Sequence, residues 1–158
     1  MKKKLSIVAL IPARSGSKRI VHKNIKFFHG HPLIAYTIST AINSGVFSDV
    51  IVSTDSEKYK DIAEHYGANV SLRPEKYAGD QSPDIEWVTY TINELKKNGR
   101  EYDLFSILRP TSPFRTSETI KRALYRFLES NDTDSLRAVE ICSQHPAKMW
   151  FVENNMMK

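Results

Sequence analysis

Hydrophobic positions change period repeatedly along this chain, from near-continuous runs to helical spacing and back. "LSIVALI", Leu5 to Ile11, is almost wholly apolar and β-branched, which predicts a strand buried on both faces of a parallel sheet. From Pro32 onward Leu33, Ile34, Ile38, Ala41 and Ile42 fall at helical spacing, with Gly45 as the residue after the helix. "DVIVST" reads as a second strand, and Thr54 with Glu57 has capping-box spacing for a helix that presents Tyr59, Ile62, Ala63 and Tyr66 and stops at Gly67. A short strand from Ala68 to Leu72 runs into "RPEKYAGDQSPD", where prolines and a glycine mark an irregular loop. Ser82 then reads as an N-cap with Pro83 in the first turn, and Ile85, Val88, Ile92 and Leu95 as the buried stripe. "YDLFSIL", Tyr102 to Leu108, is the next strand, "RPTSPFRT" the next loop, and Ile120, Ala123, Leu124, Phe127 and Leu128 the face of a last helix. Ser135 to Ile141 and Met149 to Val152 are two further predicted strands.

Strands that alternate with helices predict an α/β fold: three layers, α/β/α, around a mainly parallel, Rossmann-like sheet. In such sheets ligands bind beyond the carboxyl ends of the strands, near a topological switch. The loop after Ile11, the turn from Ser53 to Asp55 and the loop after Leu108 all lie at such ends, so they are expected to share one pocket.

Length fits a single domain over 1–158. Cys142 is the only cysteine, which excludes an intramolecular disulfide and a cysteine-rich zinc site and fits a reducing cytoplasm. The apolar run from Leu5 to Ala13 is short and leads straight into Arg14, a poor signal peptide, and no stretch is long enough to span a bilayer. The formal charge of +5 raises nucleic acid as a partner, but the cations concentrate at Lys2, Lys3 and Lys4 and on one loop. A single basic loop suits a small polyphosphate better than a nucleic-acid backbone.

That loop is "IPARSGSKRIVHKN", residues 11–24. Gly16 lets the backbone turn closely, Ser15 and Ser17 can donate hydroxyls, and Arg14, Lys18, Arg19 and Lys23 can offset several negative charges. The glycine spacing of a P-loop is missing, as is the GxGxxG of a dinucleotide site. Asp55 has the chemistry to orient a metal or nucleotide, but its position favours a first-turn acid at a helix N-terminus. His22, His29 and His31 have irregular spacing for metal ligands, and the metal ligands stay unassigned.

Taken in order, "IPARSGSKRIVHKN", "HPLIAYTI", "VSTDSE", "RPEKYAGD" and "LRPTSPFRT" resemble the acylneuraminate cytidylyltransferases, the CMP-sialic acid synthetases, over about residues 7–145. The resemblance implies a sheet of the nucleotide-diphospho-sugar transferase type and transfer of CMP from CTP to a nine-carbon keto-sugar acid, with Mg2+, releasing pyrophosphate. It implies that Arg14, Ser17, Lys18 and Lys23 hold the triphosphate, with Lys23 and Arg14 closest to the chemistry and Asn24 helping to fix the phosphates. Arg73 would lie against the cytosine, and Ala78, Gly79 and Asp80, in the loop to Ser82, would read the base. Thr111, Ser112 and Pro113 fall on the sugar side.

Two departures also fall there: Arg109 stands where many members have glutamine, and Asp84 where sialic-acid members have serine. They leave pseudaminic and legionaminic acid open as acceptors. The family's later acidic pair, which binds magnesium, and its dimer-forming segment lie past Lys158, so the chain is expected to be C-terminally incomplete and the longer protein a homodimer. The alternatives are a non-catalytic CTP-binding remnant, a 3-deoxy-manno-octulosonate cytidylyltransferase, in which proline rather than Asn24 would follow the loop lysine, and a nucleic-acid-binding module.

Overall fold

The computed structural model describes residues 5–79, 81–130, 132–139, 152–154 and 156–157, which fall into two compact units, 1–122 and 123–158. The first unit is built on a four-stranded parallel sheet. β1 (Ile7–Pro12) pairs with β4 (Asp49–Thr54) on one side and β6 (Leu104–Ile107) on the other, and β5 (Asn69–Leu72) lies outside β4. In β1 every residue from Ile7 to Ile11 is buried, as its unbroken apolar run requires of a central strand with both faces covered. Burying each such side chain contributes about 1.5–3 kcal/mol.

The two faces of the sheet collect different helices. Ala9, Ile11, Val50 and Val52 pack with Ile34, Ile38 and Ala41 of α1 (Leu33–Ser44) and Tyr59 and Ala63 of α2 (Glu57–His65). Val8, Leu10 and Ile51 pack with Trp87, Val88 and Leu95 of α3 (Asp84–Lys97). Helices on both faces make the three layers expected from the sequence. The strand order β5-β4-β1-β6 has its switch beside β1, where the chain has built outward through β4 and β5 and then crosses to place β6 on the other edge.

Gly45 closes α1 in the left-handed region at φ 65°, donating its N–H to the Ile42 carbonyl. Ile42 itself is exposed, because the buried stripe of α1 runs through Ile34, Ala35, Thr37, Ile38, Ala41 and Ser44. Ile85, expected in the core, is also exposed, since Trp87, Val88, Thr91 and Leu95 form the buried stripe of α3. The predicted caps differ as well. Ser56, not Thr54, precedes α2, and the Thr54 hydroxyl accepts the Ser56 N–H at 3.3 Å. Pro83 is the N-cap of α3, and the Ser82 hydroxyl donates instead to the Lys76 carbonyl at 3.0 Å.

The sequence reading missed a small antiparallel hairpin, β2 (Phe27–Phe28) with β3 (His31–Pro32), turned at His29 and Gly30, both at positive φ. α4 (Ser117–Glu129) begins in the first unit, where Ile120 is buried. In the second unit, residues 135–139 are irregular rather than strand, and the remainder of that predicted strand and of the one from Met149 lie outside the described residues. Val152 does begin a strand, β7 (Val152–Glu153), but it pairs antiparallel with β8 (Met156–Met157). Among the described residues no helix is long and apolar enough to cross a membrane.

Candidate functional site

The register of β1 on β4 sets Pro12 opposite Ser53 and so brings the two following loops side by side. The Ala13 N–H donates to the Ser53 carbonyl at 2.9 Å, extending the ladder one step into the loop. Two residues later the loop is fastened by a carboxylate: Asp55 accepts both the backbone N–H and the hydroxyl of Ser15, each at 2.8 Å. Asp55 therefore precedes α2 and anchors the basic loop, in place of the helix-terminal role its sequence position suggested. The far end of the loop is fastened by Asn24, which is buried and donates its side-chain amide to the Arg14 carbonyl at 3.1 Å. A loop held at both ends presents its donors with little ordering left to do on binding.

Between these fastenings the Ser17 N–H donates to the Ser15 carbonyl at 2.9 Å, and Lys23 opens a single turn of 3-10 helix, Lys23–Ile25. Lys18 is exposed, whereas Arg14, Ser17 and Lys23 are half-buried. Arg14 leaves the loop toward the β5–α3 connection, where its Nη1 donates to the Ala78 carbonyl at 3.3 Å. Gly79 is exposed, and a Cβ there would stand 3.3 Å from the Ser82 hydroxyl. Asp80 lies outside the described residues.

Arg73 follows β5 and is the least ordinary residue of the site. Its backbone N–H continues the sheet to the Thr54 carbonyl at 2.8 Å, and its guanidinium lies over the Trp87 indole, 5.3 Å from the ring centroid. The residue is only 5% exposed, yet Nε and Nη1 have no hydrogen-bond partner among the described residues. A buried unpaired donor costs about 1–3 kcal/mol, more on a charged group. Burial, reinforced by the charge of Arg14, moves its pKa down, against the pull of Asp55 and Asp84. Such donors suit an acceptor-bearing group.

On the other side of β1, Leu108 continues the ladder with its N–H on the Leu10 carbonyl at 2.9 Å, and the next residue, Arg109, turns into the loop. Arg109 forms an ion pair through Nη2 with Asp84 Oδ2, and Asp84 Oδ1 accepts the Trp87 indole N–H at 3.0 Å. Thr111 and Ser112 are exposed, the Ser112 N–H turning back to the Arg109 carbonyl at 3.4 Å. The histidines do not converge: His22 Nδ1 pairs with the Tyr59 hydroxyl at 3.2 Å and His31 Nδ1 with the Tyr66 hydroxyl at 3.0 Å. Among the described residues no three histidine, cysteine, aspartate or glutamate side chains are grouped to hold a metal.

A family model for cytidylyltransferases matches residues 8–153. The chain belongs to the cytidylyltransferase family. It is 46% identical over 125 residues to the N-acylneuraminate cytidylyltransferase of Escherichia coli O18:K1:H7, covering 78% of this chain and 29% of that protein. It is 43% identical over 121 residues to the CMP-N,N'-diacetyllegionaminic acid synthase of Legionella pneumophila, covering 76% of this chain and 52% of that one. The chain thus spans about a third to a half of the length of these relatives. Its fold is also that of CMP:2-keto-3-deoxy-manno-octonic acid synthetase solved with CTP, at a TM-score of 0.67 and 20% identity, covering 80% of this chain and 49% of that one.

Two residues that organise the candidate site, Trp87 and Asp55, were given no such role by sequence reasoning, although Asp55 lies in the turn expected to border the pocket. Trp87 looks like any buried helix residue, and Asp55 looks like a helix-end acid. Both owe their roles to pairs far apart in the chain, Trp87 to Arg73 and Asp55 to Ser15, which only the parallel register brings together.

Proposed function

We propose that this chain forms the nucleotide-binding part of an enzyme that transfers CMP from CTP to a nine-carbon keto-sugar acid of the sialic or legionaminic type, releasing pyrophosphate. The observation that carries the reading is Arg73: a buried guanidinium over the Trp87 indole, with two donors that have no partner among the described residues. Cytosine offers a flat ring whose ring nitrogen and carbonyl accept from such donors. The triphosphate then extends over the fastened loop, where Lys23, Lys18, Arg14 and Ser17 oppose its charge.

In the transfer, a sugar hydroxyl oxygen bonds to the α-phosphorus as the bond to pyrophosphate breaks in line, and the hydroxyl proton passes to solvent water. Such a step depends on positioning and charge neutralisation more than on covalent help from the protein. Lys23 and Arg14, fixed by the Asn24 and Asp55 fastenings, supply that charge at the reacting phosphates. Arg109, Asp84, Thr111 and Ser112 flank the side from which the acceptor approaches. Magnesium belongs to this reading, but the described residues do not by themselves fit a magnesium site. The reading also carries a homodimer for the longer protein, a cytoplasmic setting, and neither nucleic acid nor membrane as partner, in keeping with the clustering of Arg14, Lys18, Arg19 and Lys23 on one loop.

Thermal unfolding with CTP, UTP, ATP and GTP, with and without magnesium, tests the proposal. At 100 times its dissociation constant CTP is expected to add about 2.7 kcal/mol of stability, with the other nucleotides adding markedly less. Arg73→Met, which keeps an apolar side chain on Trp87 but removes the donors, is expected to abolish the preference for CTP. Equal stabilisation by all four nucleotides, or by none, would overturn the assignment.

A further inference from the structure

Asp84 and Arg109 are 25 residues apart in sequence and touch each other. The rest of the surroundings gives the contact a direction. In the sheet order β5-β4-β1-β6, the fastened loop and Arg73 follow β1 and β5, while Arg109 follows β6 on the opposite side of β1. A nucleotide seated on Arg73 and the basic loop therefore leaves Arg109 flanking the open side of its phosphates. Asp84 engages one nitrogen of the Arg109 guanidinium, a group with five donors, and so holds its direction without exhausting it. Asp84 is itself held by the Trp87 indole N–H, and Trp87 is 4% exposed. One buried indole thus steadies Arg73 on one side of the site and, through Asp84, Arg109 on the other.

We propose that Arg109 reads the carboxylate of the acceptor sugar acid and that Asp84 is the residue that positions it. This rests on the cytidylyltransferase reading of the site. An arginine fork meets a carboxylate with two parallel hydrogen bonds, which a glutamine cannot reproduce as a charge-assisted pair. A fork already aimed by Asp84 loses less rotational freedom when the acid arrives. The acid-bearing names of both relatives in the comparison agree with an acceptor of this chemistry.

The test uses the chain saturated with CTP and two probes, N-acetylneuraminate and its carboxyl methyl ester, whose binding is compared by saturation-transfer NMR. The ester keeps the sugar but loses the charge that Arg109 is held to read. The chain is expected to prefer the acid by about tenfold, Arg109→Gln to bind acid and ester alike, and Arg109→Lys to fall between. Asp84→Asn, which can still accept from Trp87, is expected to lower the acid-to-ester ratio severalfold. Each protein is compared with itself, so a general loosening of the site moves both probes and leaves the ratio unchanged. A chain with no preference for the acid, or a preference that survives Arg109→Gln, overturns the role of Arg109; a ratio unmoved by Asp84→Asn overturns the role of Asp84. Failure to bind CTP at all would instead strike the underlying reading, and this inference with it.

Discussion

At the scale of single residues the candidate site is held together by polar contacts between segments distant in the chain. Asp55 with Ser15 is one such contact. Replacing Asp55 by alanine unfastens the basic loop, and CTP affinity is expected to fall about tenfold, or roughly 1.4 kcal/mol. Titration calorimetry gives the answer, and a rise in affinity would mean that repulsion between Asp55 and the phosphates outweighs the fastening. A second residue pair is purely structural. The hydroxyls of Ser53 and Thr91, both fully buried, share a hydrogen bond of 2.9 Å between β4 and α3. Thr91→Val strands the Ser53 hydroxyl and is expected to cost about 1–3 kcal/mol. Adding Ser53→Ala should recover part of that loss, since no polar group is then left unpaired; denaturant unfolding of both variants checks the non-additivity.

At the scale of elements, the sheet is tied at the end away from the site by Asp49. The Asp49 carboxylate opens β4 and accepts from the Asn69 amide at 2.7 Å, from the Tyr102 hydroxyl at 2.7 Å and from Arg100, so it joins β4 to β5 and to the segment entering β6. Burial alone would raise its pKa, but the bonds from Tyr102, Asn69 and Arg100 and the charge of Arg100 bring it below the ordinary value of 3.8. Its contribution to stability is therefore complete above about pH 4 and is lost as acid protonates the folded protein below that. Asp49→Asn is expected to cost about 1–2 kcal/mol near neutrality, the lower part of the usual range because Arg100 is partly solvated. The same substitution should flatten the decline in stability between pH 4 and pH 2, as followed by urea unfolding across that interval.

The elements are also where the sequence was most legible. The apolar run of β1 and the helical stripes of α1 and α2 follow directly from how many faces each must bury. What escaped was decided by neighbours. Ile42 and Ile85 have the right spacing but sit outside the stripe that meets the sheet, and the hairpin of β2 and β3 is too short to leave a period. The basic loop and Arg73 could be picked out as candidates from residue type and place, but not the fastening of one by Asp55 or the support of the other by Trp87. Those depend on strand register, which local pattern does not encode.

For the molecule as a whole, the topology spreads the site over strands whose pairings differ greatly in sequence separation. β1 meets β4 through the pair Val8 and Asp49, and meets β6 only through pairs such as Ile7 with Leu104. Closing a longer loop costs more chain entropy and slows the pairing that needs it. The topology therefore predicts an order in time. A lengthening polypeptide can set the base and phosphate side of the pocket against β1 once β4 and β5 exist, while Arg109 must wait for β6. On the proposed function, a newly made chain would then recognise its nucleotide before it could recognise its sugar.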